Sequence, residues 1–231
     1  MALSGFWGAV RERLQGALAP YPSLYFPFEH LVRPRGYSGT LCAETEVVIE
    51  GFPRSANSWS VVAFREAQPR AVRIAHHRHA EAQVLEGVRR GLPVLVLIRQ
   101  PEDAIRSLVH RNPRTDPNRA LARWIAFYKA VERVRDEVVV ASFEQATAEF
   151  GSVVERLNSR FGCRFETCPS TAGYREKVFA AMERDNADRP AFAAVPDARR
   201  SETQNRLELG FDAESLREAH SLYRRLAGEA A

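Results

Sequence analysis

Lysine and cysteine are scarce in this 231-residue sequence, and long apolar runs are absent. Lys129 and Lys177 are its only lysines, so the formal net charge of +4 is carried by arginine. That mild cationic excess suits an anionic ligand or a solvated surface and selects neither. The three cysteines, Cys42, Cys163 and Cys168, are odd in number and lack paired metal-ligand spacing. They exclude a disulfide framework or zinc site as the organising device, and a reduced, cytoplasmic setting is expected. No apolar run approaches the ~18 residues of a membrane span. At the N-terminus, Phe6, Trp7, Val10 and Leu14 fall at helical spacing with Arg11 and Arg13 between them. That pattern reads as a helix packed on its own domain, with peripheral membrane contact as the alternative, and not as a signal peptide.

At 45% hydrophobic and 27% charged, residues 1–231 have the composition of one globular domain. From Thr45 onward, short β-branched runs alternate with helical segments, the pattern of parallel strands joined by crossovers. TEVVIEG ending at Gly51, AVRIAHH ending near His77, PVLVLIR ending at Arg99 and EVVVASF ending at Phe143 are apolar enough for strands buried on both faces. Helices are expected from near Ser58, Ala80 and Pro101, and where Leu121, Trp124, Tyr128 and Val131 recur. Others are expected over Val153 to Phe161, capped by Gly162, from about Arg175 to Arg184, and from Ala213 to Leu226. The expected fold is therefore α/β in three layers around a central parallel sheet. Ligands of such sheets bind beyond the carboxyl ends of the strands, where Arg54, His76, His77, Arg99 and Phe143 cluster.

GFPRSANSW, Gly51 to Trp59, follows a buried strand and precedes a helix, so its backbone N–H groups can converge on an anion. It is not a Walker A loop, because GxxxxGK is absent and no lysine lies near it. The loop resembles the 5'-phosphosulfate motif of sulfotransferases that use 3'-phosphoadenosine 5'-phosphosulfate (PAPS), commonly PKSGTTW or PRSGTTW. Pro53, Arg54, Ser55, Ala56, Asn57, Ser58 and Trp59 occupy its positions. VLVLIRQPEDAIRSLVHR resembles the family's 3'-phosphate motif, an arginine at a strand end and a serine eight residues later, here Arg99 and Ser107. Arg99 offers a rigid fork of donors, and Pro101 starts a helix that returns Ser107 to the same end of the sheet. Taken singly, the two arginines also suit ordinary strand-end surface positions.

The resemblance implies a P-loop-like sulfotransferase architecture, PAPS as co-substrate and no metal. Phe143 matches an aromatic that contacts adenine, and equally suits a core residue capping the sheet. Arg199 and Arg200, in VPDARRSE, are positional counterparts of a late RKG-like segment that adds 3'-phosphate contacts. Two departures stand out. Ala56 replaces the usual glycine, adding a Cβ where backbone and phosphate approach, and Asn57 with Ser58 replaces two threonines.

For the base, IAHHRH ends the second strand with His76, His77 and His79. A positioned imidazole suits proton abstraction, worth ~10²–10⁴-fold. Against the family's strand-end KTH, His77 falls on the catalytic histidine and Ala75 on an accompanying lysine. If the strand persists, His77 and His79 share a face and His76 points away. Arg54 falls where a cation faces the breaking bridge bond. The expected function is sulfuryl transfer to a hydroxyl or amine of a small-molecule, saccharide or lipid acceptor, with no nucleic-acid partner. A non-catalytic adenosine bisphosphate-binding protein and a metal-dependent nucleotide phosphotransferase remain the alternatives, the first kept open by Ala56 and Ala75.

Overall fold

A computed structural model describes residues 11, 14–32, 39–187 and 207–228. Phe6, Trp7, Val10, Arg13, Arg199 and Arg200 therefore lie outside the described residues. After helix α1 (Pro22–Val32), the chain alternates β1 (Val47–Gly51), α2 (Asn57–Ala67), β2 (Ile74–His76), α3 (Glu81–Arg89), β3 (Val94–Ile98) and α4 (Pro101–Arg111). It continues through α5 (Pro117–Glu132), β4 (Val139–Ser142), α6 (Phe143–Ala148), α7 (Phe150–Phe161), α8 (Ala172–Asp185) and α9 (Ala213–Ala227). The four strands form one parallel sheet in the order β2-β1-β3-β4.

Strand alternation splits the core into two layers. Val48, Val94, Val96 and Ile98 face a cluster with Val84, Ile105, Trp124, Tyr128 and Leu222, drawn from α3, α4, α5 and α9. Val47, Ile49, Leu95, Leu97 and Ala141 face Val62, Phe64, Val154, Leu157 and Val178, drawn from α2, α7 and α8. The protein is thus a three-layer α/β fold, and burial on both faces is why its strands read as unbroken apolar runs.

β1 and β3 are neighbours, yet α2 leaves β1 toward one face and α4 leaves β3 toward the other. The order in which strands are added therefore reverses between these two parallel strands, the switch point at whose carboxyl ends open sheets form a crevice. Gly51 permits their close approach, because a Cβ there would collide with the carbonyl oxygen of Leu97. The expected helix boundaries hold to within a few residues, and Gly162 ends α7 with φ 65°. Asp116 caps α5, accepting from Arg119 N at 2.6 Å ahead of Pro117.

Candidate functional site

The loop between β1 and α2 carries two non-glycine residues in the left-handed region, Arg54 at φ 72° and Ala56 at φ 68°. Each costs about 1–2 kcal/mol, so neighbouring bonds must hold the loop in shape. Tyr128, buried on α5, supplies three of them: its hydroxyl accepts from Phe52 N at 3.2 Å, donates to Leu97 O at 2.6 Å and lies 3.5 Å from Ser55 Oγ. Burial raises its phenol pKa, so the hydroxyl stays protonated. Asn57 Nδ2 closes the loop by donating to Phe52 O at 2.9 Å. Ala56 is also the N-cap of α2 and offers no side-chain cap, and the first turn holds no acid. The positive end of that helix is left facing the crevice. Glycine would take φ 68° without strain, so Ala56 adds a conformational cost as well as a Cβ.

The loop after β1 and helix α4 meet here. Arg54 Nε donates to Ser107 Oγ at 3.0 Å, and Arg99 Nη1 donates to Arg54 O at 3.3 Å. Ser107 is buried, held on α4 by the turn that starts at Pro101. The Arg99 guanidinium lies 4.1 Å over the Phe143 ring, a cation–π contact from the first residue of α6. Burial lowers the Arg99 pKa, opposed by Asp103 and Glu144. Its Nε is buried and has no acceptor among the described residues. An unpartnered guanidinium N–H beside an uncapped helix end is an arrangement an anion would complete.

The histidines depart from the strand reading. β2 ends at His76, and both His77 (φ 55°) and His79 (φ 50°) adopt left-handed backbone. The cause is Glu50, a buried carboxylate on β1. Its Oε1 accepts from Arg78 N at 2.7 Å and from Gln83 Nε2 at 2.8 Å, and its Oε2 accepts from His79 N at 3.1 Å. Those bonds wrap the chain around the carboxylate and end the strand alternation. His76 consequently does not point away: its Nδ1 lies 2.6 Å from His77 Nδ1. His77 Nε2 lies 3.0 Å from Ser58 Oγ, so this ring does reach the end of the loop after β1. His79 Nδ1 is 2.7 Å from Gly51 O, which can only accept. Burial, with neighbouring Arg78 and the other histidines, lowers the pKa of His76 to about 4 and of His77 to about 3.

Of the expected residues, Arg54, Ser107, Arg99 and Phe143 are linked to one another and Ser58 to His77, all through the loop that also holds Ser55, Ala56 and Asn57. Trp59 serves packing, with its indole N–H on Ala146 O at 3.0 Å and its ring 4.9 Å from Phe179. Arg200 lies outside the described residues. Tyr128 and Glu50 were not foreseen. Tyr128 was masked by its place in a helical core period, whereas Glu50 had a signal, being the lone acid in an otherwise apolar strand. A buried ion pair, Arg78 Nη1 to Glu29 Oε2 at 3.0 Å, ties the histidine turn to α1.

Cys42, Cys163 and Cys168 are free thiols. Among the described residues no group of three or more His, Cys, Asp or Glu is placed to hold a metal ion, and no helix is long and apolar enough to cross a membrane. No family model matches the chain, and no curated protein matches it. Among solved structures, that of mouse sulfotransferase SULT7A1 complexed with PAP is similar at a TM-score of 0.47 and 12% identity, over 84% of this chain and 88% of that one.

Proposed function

We propose that the protein is a sulfotransferase that moves the sulfuryl group of PAPS to an acceptor hydroxyl or amine. The observation that carries the reading is the bond between Arg54 Nε and Ser107 Oγ, which joins the 5'-phosphosulfate loop to the 3'-phosphate motif. In this reading Ser55, Ala56, Asn57 and Ser58, with the α2 N-terminus, cradle the 5'-phosphosulfate. Arg99 and Ser107 hold the 3'-phosphate, and the orphaned Arg99 Nε supports that role. Phe143 holds the Arg99 guanidinium against its ring and is the aromatic offered to adenine in this reading.

Sulfuryl transfer resembles phosphoryl transfer in resting on alignment and on stabilising charge at the leaving oxygen. Arg54 supplies that stabilisation. His77 takes the acceptor proton, helped by His79 or replaced by it. The low pKa keeps His77 neutral, the form a base needs, and a bound anion raises its proton affinity toward a useful range. The same low value favours a second reading, a protein that binds adenosine bisphosphates without turnover. Ala75, where the family carries a lysine, points the same way.

Thermal denaturation with 3'-phosphoadenosine 5'-phosphate and with AMP tests the site. The bisphosphate is expected to raise the melting temperature more, because only it engages Arg99 and Ser107. Equal shifts would remove the 3'-phosphate assignment. Mass spectrometry of candidate acceptors incubated with labelled donor separates turnover from binding alone.

A further inference from the structure

His76 and His77 are adjacent in sequence, and the left-handed backbone at His77 folds their rings edge to face, centroids 4.8 Å apart. Two neutral imidazoles with Nδ1 atoms 2.6 Å apart must share one proton, since two lone pairs or two N–H groups would repel. The row Ser58 Oγ, His77, His76 therefore has two arrangements. In one, His77 Nδ1–H donates to His76 and Nε2 presents a lone pair to Ser58. In the other, His76 donates, and His77 Nε2–H points at Ser58 with nothing left to accept a proton.

The surroundings favour the first arrangement. Ser58 lies in the first turn of α2, whose positive end has no side-chain cap and no acid. A lone pair aimed at that end is favoured over an N–H dipole. Burial above all keeps both rings neutral, reinforced by Arg78 of the same turn and, for His76, by Arg65 of α2; His79 is the other titratable group facing them. Glu50 of β1 does not compete for their protons, because Arg78 N, His79 N and Gln83 Nε2 occupy its oxygens.

We infer that His76 is a positioning residue: by accepting the Nδ1 proton it fixes His77 as the Nδ1–H tautomer and keeps Nε2 a proton acceptor at the phosphate loop. The inference deepens the reading of His77 as the base. Its kinetic arm rests on that reading, and its spectroscopic arm does not.

Two-bond ¹H–¹⁵N spectra of the full chain labelled in histidine, at neutral pH, read the tautomer directly. His77 is expected as the Nδ1–H form, with the preference lost in His76→Phe and restored in His76→Asn, whose amide oxygen can accept the same proton. An Nε2–H tautomer of His77 in the unsubstituted protein overturns the inference, and so does a tautomer indifferent to His76→Phe. In turnover, His76→Phe should lower kcat about 10-fold or more, with the bisphosphate affinity unchanged and most of the loss recovered in His76→Asn. A protein that transfers no sulfuryl group refutes the functional reading while its spectra still decide the pairing. Should His76→Phe not fold, the unsubstituted protein and His76→Asn carry the test.

Discussion

Arg54, on the loop after β1, donates from Nε to the hydroxyl of Ser107, on the helix after β3, at 3.0 Å across 53 positions of sequence. The bond exists because β1 and β3 are adjacent while their following helices take opposite faces of the sheet. Each motif alone describes a strand-end cation. Brought together, they surround one crevice with two guanidinium groups, a buried hydroxyl and an uncapped helix end.

Arg99→Ala is the sharpest probe of that crevice. A charge-assisted bond to phosphate contributes ~1.5–3 kcal/mol, so the variant should bind the bisphosphate roughly 10- to 100-fold more weakly. It should also lose its preference over AMP while folding normally, since the guanidinium is partly exposed and its desolvation is unfavourable. Unchanged affinity by calorimetry would mean that Arg99 does not touch the nucleotide.

Much of this was legible beforehand, for physical reasons. VVIEG and VLVLI read as strands because both faces are buried, and Arg99 and Ser107 read as one site because α4 starts at Pro101 and keeps Ser107, in its second turn, within reach of the loop after β1. The end of β2 was not legible. It depends on Glu50, 28 residues before Arg78, accepting the Arg78 backbone N–H. No local pattern in RIAHHRH announces that bond, so period-two reasoning ran one residue too far. Tyr128 was hidden for the opposite reason: a helical period reports only that a residue is buried, not what its hydroxyl reaches.

Tyr128→Phe should separate loop support from core packing. The ring volume is kept, but the bonds to Phe52 N and Leu97 O are lost inside the protein, a cost of about 1–3 kcal/mol. Chemical denaturation should report that loss, and bisphosphate affinity should fall with it because Arg54 and Ala56 then relax from their left-handed backbone. A stability loss with affinity unchanged would show that the loop holds its shape without Tyr128.

The histidine turn sets a pH dependence. His76 and His77 have folded-state pKa values near 4 and 3, below the unfolded ~6.5, so the unfolded chain binds protons first as pH falls. Their contribution is fully present above about pH 6.5 and is lost progressively toward pH 3–4, reaching ~1 kcal/mol or more by pH 5. Denaturant melts at pH 7 and pH 5 should show the decline, and a His76→Phe, His77→Phe double variant should show a shallower one. Equal slopes would place the acid sensitivity in other groups.

His77→Ala tests the chemistry itself. His77 Nε2 sits 3.0 Å from Ser58 Oγ, at the end of the loop where the sulfuryl group would be presented, while Arg99 follows β3 and Ser107 lies on α4. Removing the imidazole should lower kcat at least ~10²-fold and leave bisphosphate affinity nearly unchanged, as expected for loss of a group that handles only the acceptor proton. A large loss of affinity would instead make His77 part of the loop's support, acting through Ser58. His79 provides the internal comparison. Its Nδ1–H must donate to Gly51 O, so Nε2 is its remaining acceptor, and its ring centroid is 5.9 Å from that of His77. If His79→Ala loses turnover while His77→Ala keeps it, the base lies two residues later in the same turn. If His76→Ala, His77→Ala and His79→Ala all keep full turnover, imidazole catalysis is excluded and a carboxylate must take the proton.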